Sequence, residues 1–255
     1  MKTFVMGDMH GAHLALKQCL ERSNFDYDND TLIQLGDVAD GWAYVYECVE
    51  ELLGIRYLIA IRGNHDEWFR DFIESGFHPD RWMQGGYNTA RSYLRQVGRE
   101  DSVEAYTPRR YLVPINNTDI PLVHQEFFRN QVNYHLIGDK LFIHAGFDRL
   151  KPLVGQPEYV TYWNRELWYA ALSHEENSNI AGGKFRTYDN YSEIFIGHTD
   201  LNHWNTDKPM KAAEYIWNLD TGAGFKGKLT IMDISTHEYW QSDNVQELYP
   251  NERGR

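Results

Sequence analysis

Five short stretches of this chain put carboxylates, imidazoles and an amide where an apolar run is ending. They are GDMHG (7–11), GDVAD (36–40), RGNHDE (62–67), HAGF (144–147) and GHTD (197–200). An Asp or His buried alone loses its water, so such a group must be paired, hydrogen-bonded or bound to a cation. Asp8 and His10 follow the apolar run TFVM, Asp37 closes TLIQLGD, Asn64 and His65 close RYLIAIRGN and its next residue, and His144 and His198 end later runs. Together they can hold a cation, and the cation offsets the cost of burying them. Oxygen and nitrogen donors without cysteine suit Mn²⁺, Fe or Zn²⁺ better than Ca²⁺ or a structural zinc.

Such convergence requires elements that deliver each group to one place. Thr3–Met6 reads as a strand, Ala12–Ser23 as a helix, Thr31–Asp37 as a strand and Val45–Gly54 as a helix ended by Gly. Arg56–Asn64 reads as a third strand and Asp66–Ser75 as a third helix. Strand and helix in alternation imply parallel pairing through crossover helices, hence an α/β fold. In open α/β sheets ligands sit beyond the carboxyl ends of the strands, where all five stretches fall. The segment from about Gly76 to Asn133 is aromatic, Arg-rich and partly helical. Val132–Gly146 reads as two strands joined by a GD turn. Lys151–Tyr191 reads as a long functional loop with helical parts. SEIFIGHTD, AAEYIWNLDTG and GKLTIMDISTHEYWQ are late strands, with the last two expected antiparallel.

The 255 residues suit one domain, 1–255, with lid or groove segments at about 76–131 and 150–192. No apolar stretch approaches the roughly 20 residues that span a bilayer. The start, MKTFVMGDMHG, reads as a strand and not a signal peptide. Cys19 and Cys48 fall in apolar helical patterns and read as buried reduced thiols. These features together point to the cytoplasm. A net charge of −12 argues against nucleic acid or anionic membrane as partner, though bound metal cations can invert the charge of one cleft.

The five stretches, in this order after strands, resemble the calcineurin-like metallophosphoesterases. The likeness is strongest to the branch of bacterial and bacteriophage-type Ser/Thr protein phosphatases and symmetrical diadenosine tetraphosphate hydrolases. GGYNTARSY (85–93), YWNRELW (162–168) and LDTGAGFKGKLTIMDI (219–234) are similar to further segments of that branch, so the resemblance covers nearly the whole chain. It implies a four-layer α/β/β/α sandwich of two mixed sheets. It also implies two divalent metal ions, Mn²⁺ foremost, with Fe or Zn²⁺ as other candidates. Asp8, His10 and a shared Asp37 would bind the first, and Asp37, Asn64, His144 and His198 the second. A hydroxide shared by the metals would attack phosphorus in line, without a phosphoenzyme. His65 would protonate the leaving oxygen, Asp40 would orient and charge His65, and Arg165 would clamp the phosphoryl oxygens with Asn64 beside it.

Other residues carry plainer readings. His13, one turn after His10, reads as a surface or capping residue. His78, His124, His135, His174, His203 and His237 read as surface or satisfied core histidines. Arg62 could touch phosphate or pair with a neighbouring carboxylate. Asp200 reads as a solvated carboxylate or one behind the metal ligands. One departure bears on substrate. The branch carries Arg after the Asp that matches Asp40, whereas this chain has Gly41 and Trp42. Arg81, Arg91, Arg95, Arg109, Arg110, Lys184 and Arg186 are candidates to replace that cation. The function expected is hydrolysis of phosphomonoesters, foremost phosphoserine or phosphothreonine in proteins. The alternatives are a dinucleoside tetraphosphate or other nucleotide as substrate, and, in another class, a non-catalytic phosphopeptide binder. The partner expected is a phosphorylated protein or a small phosphoester.

Overall fold

The computed structural model describes residues 1–77, 84–100, 104–107, 110–112, 115–181 and 183–255, with the backbone alone for 104–107, 110–112 and 178–181. In chain order the first elements are β1 (Thr3–Met6), α1 (His13–Arg22), β2 (Thr31–Gln34), α2 (Val45–Leu53), β3 (Tyr57–Ala60), α3 (Asn64–Ser75) and α4 (Gly86–Gln96). There follow β4 (Glu104–Thr107), β5 (Arg110–Leu112), α5 (Leu122–Arg129), β6 (Tyr134–Ile137), β7 (Lys140–Ile143), α6 (Glu158–Trp163) and α7 (Glu166–Ala181). The last are β8 (Glu193–Ile196), β9 (Met210–Ala212), β10 (Ile216–Asn218), β11 (Thr230–Asp233), β12 (Tyr239–Gln241) and α8 (Val245–Leu248).

Two five-stranded sheets carry the fold, in the orders β12-β11-β1-β2-β3 and β6-β7-β8-β10-β9, and β4 and β5 form a separate hairpin. In the first sheet β1, β2 and β3 are parallel, while β11 runs antiparallel to β1 and β12 to β11. In the second sheet β7, β8 and β10 are parallel, and β6 and β9 are antiparallel edges. Both sheets are therefore mixed.

Side-chain alternation along each strand explains the layers, because successive residues point to opposite faces. In β1, Phe4 and Met6 pack with α1–α5, while Val5 faces the other sheet. In β8, Ile194 and Ile196 pack with α7, while Phe195 turns inward to stack on Phe142 of β7 at 4.9 Å and 6°. The inner layer of Val5, Ile33, Leu35, Ile61, Phe142, Phe195, Leu219 and Met232 is the seam between the sheets. The result is the α/β/β/α sandwich. Among the described residues no helix is long and apolar enough to cross a membrane.

The structure corrects three local readings. The strands β2 and β3 stop at Gln34 and Ala60, so Asp37 lies on a turn beyond the ladder and Asn64 is the first residue of α3. Within Lys151–Tyr191 the dominant element is α7 and not a loop. Its turn formers Pro152, Gly155 and Pro157 all precede the helices, and Leu167, Trp168 and Ala171 bury against the second sheet. The last two strand segments do not pair with each other. β10 joins β8 in one sheet and β11 joins β1 in the other, because each apolar run finds a better buried neighbour than its chain neighbour. Cys19 and Cys48 are free and buried on α1 and α2. Of the arginines in the irregular segments, Arg81 and Arg109 lie outside the described residues, as does His78.

Candidate active site

Five strand ends of the two sheets deliver polar groups to one buried cluster. Asp8 and His10 follow β1, Asp37 follows β2, Asn64 opens α3 beyond β3, and His144 and His198 follow β7 and β8. All six are buried. The turns that hold them are costly ones. His10, Asp37, Asp40 and His198 have φ of 47°, 55°, 64° and 66°, in the left-handed region that side chains other than glycine's rarely adopt. Strain of this kind persists only where surrounding bonds over-determine it. Here Asp66 supplies some of them, accepting from the backbone N–H groups of Val38, Ala39 and Gly63 and from Gln131 Nε2. Close approach also demands two glycines. A Cβ on Gly197 would stand 2.0 Å from Asp8 Oδ1, and one on Gly63 would stand 2.1 Å from Asp37 Oδ1.

Asp37 lies between two imidazoles. Its Oδ2 is 3.5 Å from His10 Nε2 and its Oδ1 is 3.6 Å from His144 Nε2. His10 donates through Nδ1 to the carbonyls of Ala39 (3.2 Å) and Asp40 (3.1 Å), and His144 donates through Nδ1 to Leu35 O (2.8 Å). Burial lowers the pKa of both rings, so they are neutral and their Nε2 atoms carry lone pairs. Each lone pair therefore faces carboxylate oxygen, and His144 Nε2 also faces Asn64 Oδ1 at 3.2 Å. Among the described residues His198 Nε2 and Asp8 Oδ1 are buried without a hydrogen-bond partner, and burial together with Asp220 and Asp37 raises the Asp8 carboxyl. Acceptors gathered this closely repel one another unless cations stand between them. Two groups, Asp8–His10–Asp37 and Asp37–His144–His198, each bring one ligand atom per residue to within 4.8 Å of one another. The donor set thus fits two divalent cations that share Asp37.

Beside the cluster lies a second buried pair. His65 Nδ1 is 2.8 Å from Asp40 Oδ2, and the Asp40 backbone N–H and Oδ1 both bond to Thr89 Oγ1. Thr89 thereby fixes the carboxylate that fixes the imidazole. His65 Nε2 is buried with no partner among the described residues. Its ring stands edge-on to Trp68 at 4.6 Å and to His10 at 5.1 Å, so its free nitrogen lies next to the ligand cluster. Arg165 lines an open cleft of about 390 Å³ together with His10, His198, Asp200, Asp220 and Arg255. Its Nη2 lies 3.4 Å from His198 O.

The other candidates separate cleanly. His13 pairs with Glu51, and His124 is held by Tyr93 and Glu50. Arg62 is engaged by Glu67 and Glu158, the ion-pair reading of that residue. Arg91 and Arg95 are paired with Glu100. Asp200 lines the cleft and accepts from Asn202 N at 2.9 Å at the start of a short 3₁₀ turn. Four contributors went unread in the sequence: Asp66, Thr89, Asp220 and Arg255. Asp220 follows β10, so the rule of polar groups at strand ends could have found it, and burial with Asp200 nearby pushes its carboxyl up to about 7. Arg255 carries no local signal at all.

A sandwich of two mixed sheets whose strand ends gather ligands for two cations is the architecture of a dinuclear metallohydrolase. The chain belongs to the calcineurin-like phosphoesterase family, which residues 1–202 match, and it is a hydrolase of phosphoester bonds. It is similar to a symmetrical bis(5'-nucleosyl)-tetraphosphatase of Coxiella burnetii, 22% identical over 94% of this chain and 92% of that one. It is also similar to serine/threonine-protein phosphatase 1 of Salmonella typhimurium, 25% identical over 91% of each chain. Among solved structures, a cold-active protein-tyrosine phosphatase of a Shewanella species shares the fold, with a TM-score of 0.57 at 13% identity over 95% of this chain and 80% of that one. The family is dependent on a dinuclear metal centre, and the clustered residues match that need.

Proposed function

We propose that this chain is a phosphomonoesterase acting foremost on phosphoserine and phosphothreonine in proteins. The observation that carries this reading is Asp37 between two neutral imidazoles, with the His65–Asp40 pair alongside. Asp8, His10 and Asp37 hold one metal, and Asp37, Asn64, His144 and His198 the other, with Mn²⁺ foremost. When bound, the pair supplies Lewis-acid charge and makes water more acidic. His65 delivers a proton from Nε2 to the leaving oxygen, and Asp40 holds the opposite ring nitrogen and so orients the ring. Arg165 presents a planar fork to the phosphoryl oxygens, and Asn64 stands beside it.

The charge around the cleft supports a single phosphoryl group as substrate. Among the described residues that line it, the cations are Arg165 and Arg255, against Asp200 and Asp220. A polyphosphate needs more positive charge than that. The tetraphosphatase likeness and an adjoining groove of about 700 Å³ lined by Tyr87 and Phe225 favour a nucleotide as the second reading. The deciding experiment is a substrate panel with added Mn²⁺: phosphopeptides, p-nitrophenyl phosphate and diadenosine tetraphosphate. Turnover of the phosphopeptides is expected, abolished by a chelator and restored by Mn²⁺. Preference for the dinucleotide would move the assignment to the second reading, and binding of phosphopeptide without turnover would make the chain a phosphopeptide binder.

Arg165→Ala is expected to lower kcat/KM by roughly 10²-fold, the size seen when one donor to a developing oxyanion is lost. Steady-state kinetics on p-nitrophenyl phosphate check it, and a loss below threefold would remove Arg165 from the phosphate site.

A further inference from the structure

Segment 249–255 crosses the first sheet's side of the cleft along a defined path. Tyr249 is buried and stacks between Trp42 (5.1 Å) and Tyr44 (4.8 Å), and its hydroxyl accepts from Leu14 N at 2.8 Å. Asn88 Nδ2 bonds to both Gly41 O and Arg253 O, tying the segment to the turn that follows Asp40. Gly254 lies flat on the Trp42 indole, where a Cβ would stand 2.9 Å from the ring and 2.4 Å from Gly224 O. Arg255 N then donates to Gly224 O at 2.8 Å. The outcome is that the Arg255 side chain turns into the cleft. Its guanidinium lies 5.3 Å from the Phe225 ring centroid and its Nη1 is 3.3 Å from His10 Nε2.

Three features make this guanidinium more than a surface charge. Among the described residues it forms no ion pair with a carboxylate, nor does Arg165, although Arg62, Arg91 and Arg95 all do. It lines both the catalytic cleft and the adjoining groove, so it stands where a substrate's phosphoryl group would meet the rest of the substrate. Gly41 provides the room, since a Cβ there would already be 3.6 Å from Arg255 Cγ and 2.8 Å from His10 Cβ. A larger side chain at 41 would compete for the same space.

We propose that Arg255 is a second guanidinium for the substrate phosphoryl group, delivered from the first sheet's side while Arg165 comes from the second. It rests on the phosphomonoesterase reading above. A metal held by His10 Nε2 would take that lone pair, and the guanidinium's N–H groups would then be available to a substrate's anionic oxygens in the cleft. Charge-assisted bonds of this kind contribute enough to change affinity by about 10–100-fold.

The test compares wild type, Arg255→Ala and Arg255→Lys, all Mn²⁺-loaded full chains. Binding of inorganic phosphate is measured by calorimetry, with KM and kcat on p-nitrophenyl phosphate, Mn²⁺ content and Tm alongside. Arg255→Ala is expected to weaken phosphate binding about 10–100-fold. KM should rise in parallel, kcat should change less, and Mn²⁺ content should hold. Arg255→Lys should recover part of the loss, and added methylguanidine should rescue Arg255→Ala but not wild type. Phosphate affinity within twofold of wild type would overturn the proposal. So would tighter Mn²⁺ binding with higher activity, which would make Arg255 a plug over the metal site. A wild type that neither binds phosphate nor cleaves monoesters removes both readings, whereas normal wild-type behaviour with an unaffected Arg255→Ala removes this one alone.

Discussion

Replacing His65 by asparagine is expected to lower kcat on phosphoserine peptides by roughly 10²–10⁴-fold and on p-nitrophenyl phosphate only slightly. The difference lies in the leaving group. p-Nitrophenol, with a pKa near ~7, departs as its anion, whereas a serine alkoxide must be protonated as the bond breaks. The substitution is mild for the structure. Among the described residues His65 Nε2 has no hydrogen-bond partner to lose, and an asparagine amide can take over the 2.8 Å bond that Nδ1 makes to Asp40 Oδ2. The backbone bond from His65 N to Asp37 Oδ1, at 3.0 Å, is independent of the side chain. Asp40→Asn should show the same selectivity in weaker form, because it weakens the bond that orients the ring. Rates on both ester types, with metal content by elemental analysis, check the assignment. Equal losses on both with falling metal would make His65 a ligand. Equal losses with unchanged metal would make it a phosphate-binding group, and the acid role would be withdrawn.

Asp37→Asn is expected to be the most damaging ligand change, lowering kcat/KM on both ester types by on the order of 10³-fold or more. Metal catalysis contributes several kcal/mol, and about 1.4 kcal/mol is a factor of ten. Asp37 is the one residue common to both groups of clustered ligands. An amide keeps the bond from His65 N but has a single oxygen and no charge, so each cation loses affinity at once. Burial alone would raise the Asp37 carboxyl, yet it is held below the usual range, with the Arg255 guanidinium among the charges that favour its ionised form. Its charge is thus available to metals across the neutral range. Metal content and kinetics in metal-stripped and Mn²⁺-supplemented buffer check this. Full activity of the variant in stripped buffer would end the dinuclear reading.

The two expectations were reached from different depths of the sequence. His65 and Asp40 sit inside motifs that also contain metal-type ligands, and the structure places them in direct contact although they are 25 positions apart. Asp37 as the shared ligand came from the family resemblance of its motif, and the structure places it between His10 and His144, which follow strands of different sheets.

By itself the sequence determined which groups gather and on which face. Strand alternation fixes which residues bury, and a polar ligand just past an apolar run must leave the ladder at its carboxyl end, so local neighbours encode both facts. It also encoded α/β class and the parallel β1–β2–β3 core, because a short strand followed by an apolar-striped helix has few ways to bury both. Tertiary structure decided the rest. It assigned β10 and β11 to different sheets, made α7 the main element of 151–191, and gave Arg62 to Glu67 and Glu158. It made Asp66 a clamp on the Asp37 turn. Above all, it brought Arg255 to His10 across 245 positions of chain. No periodicity announces such a contact. It exists because Trp42 and Tyr44 stack on Tyr249 and Gly254 fits flat on the indole, and those are properties of a packed surface and not of any local run of residues.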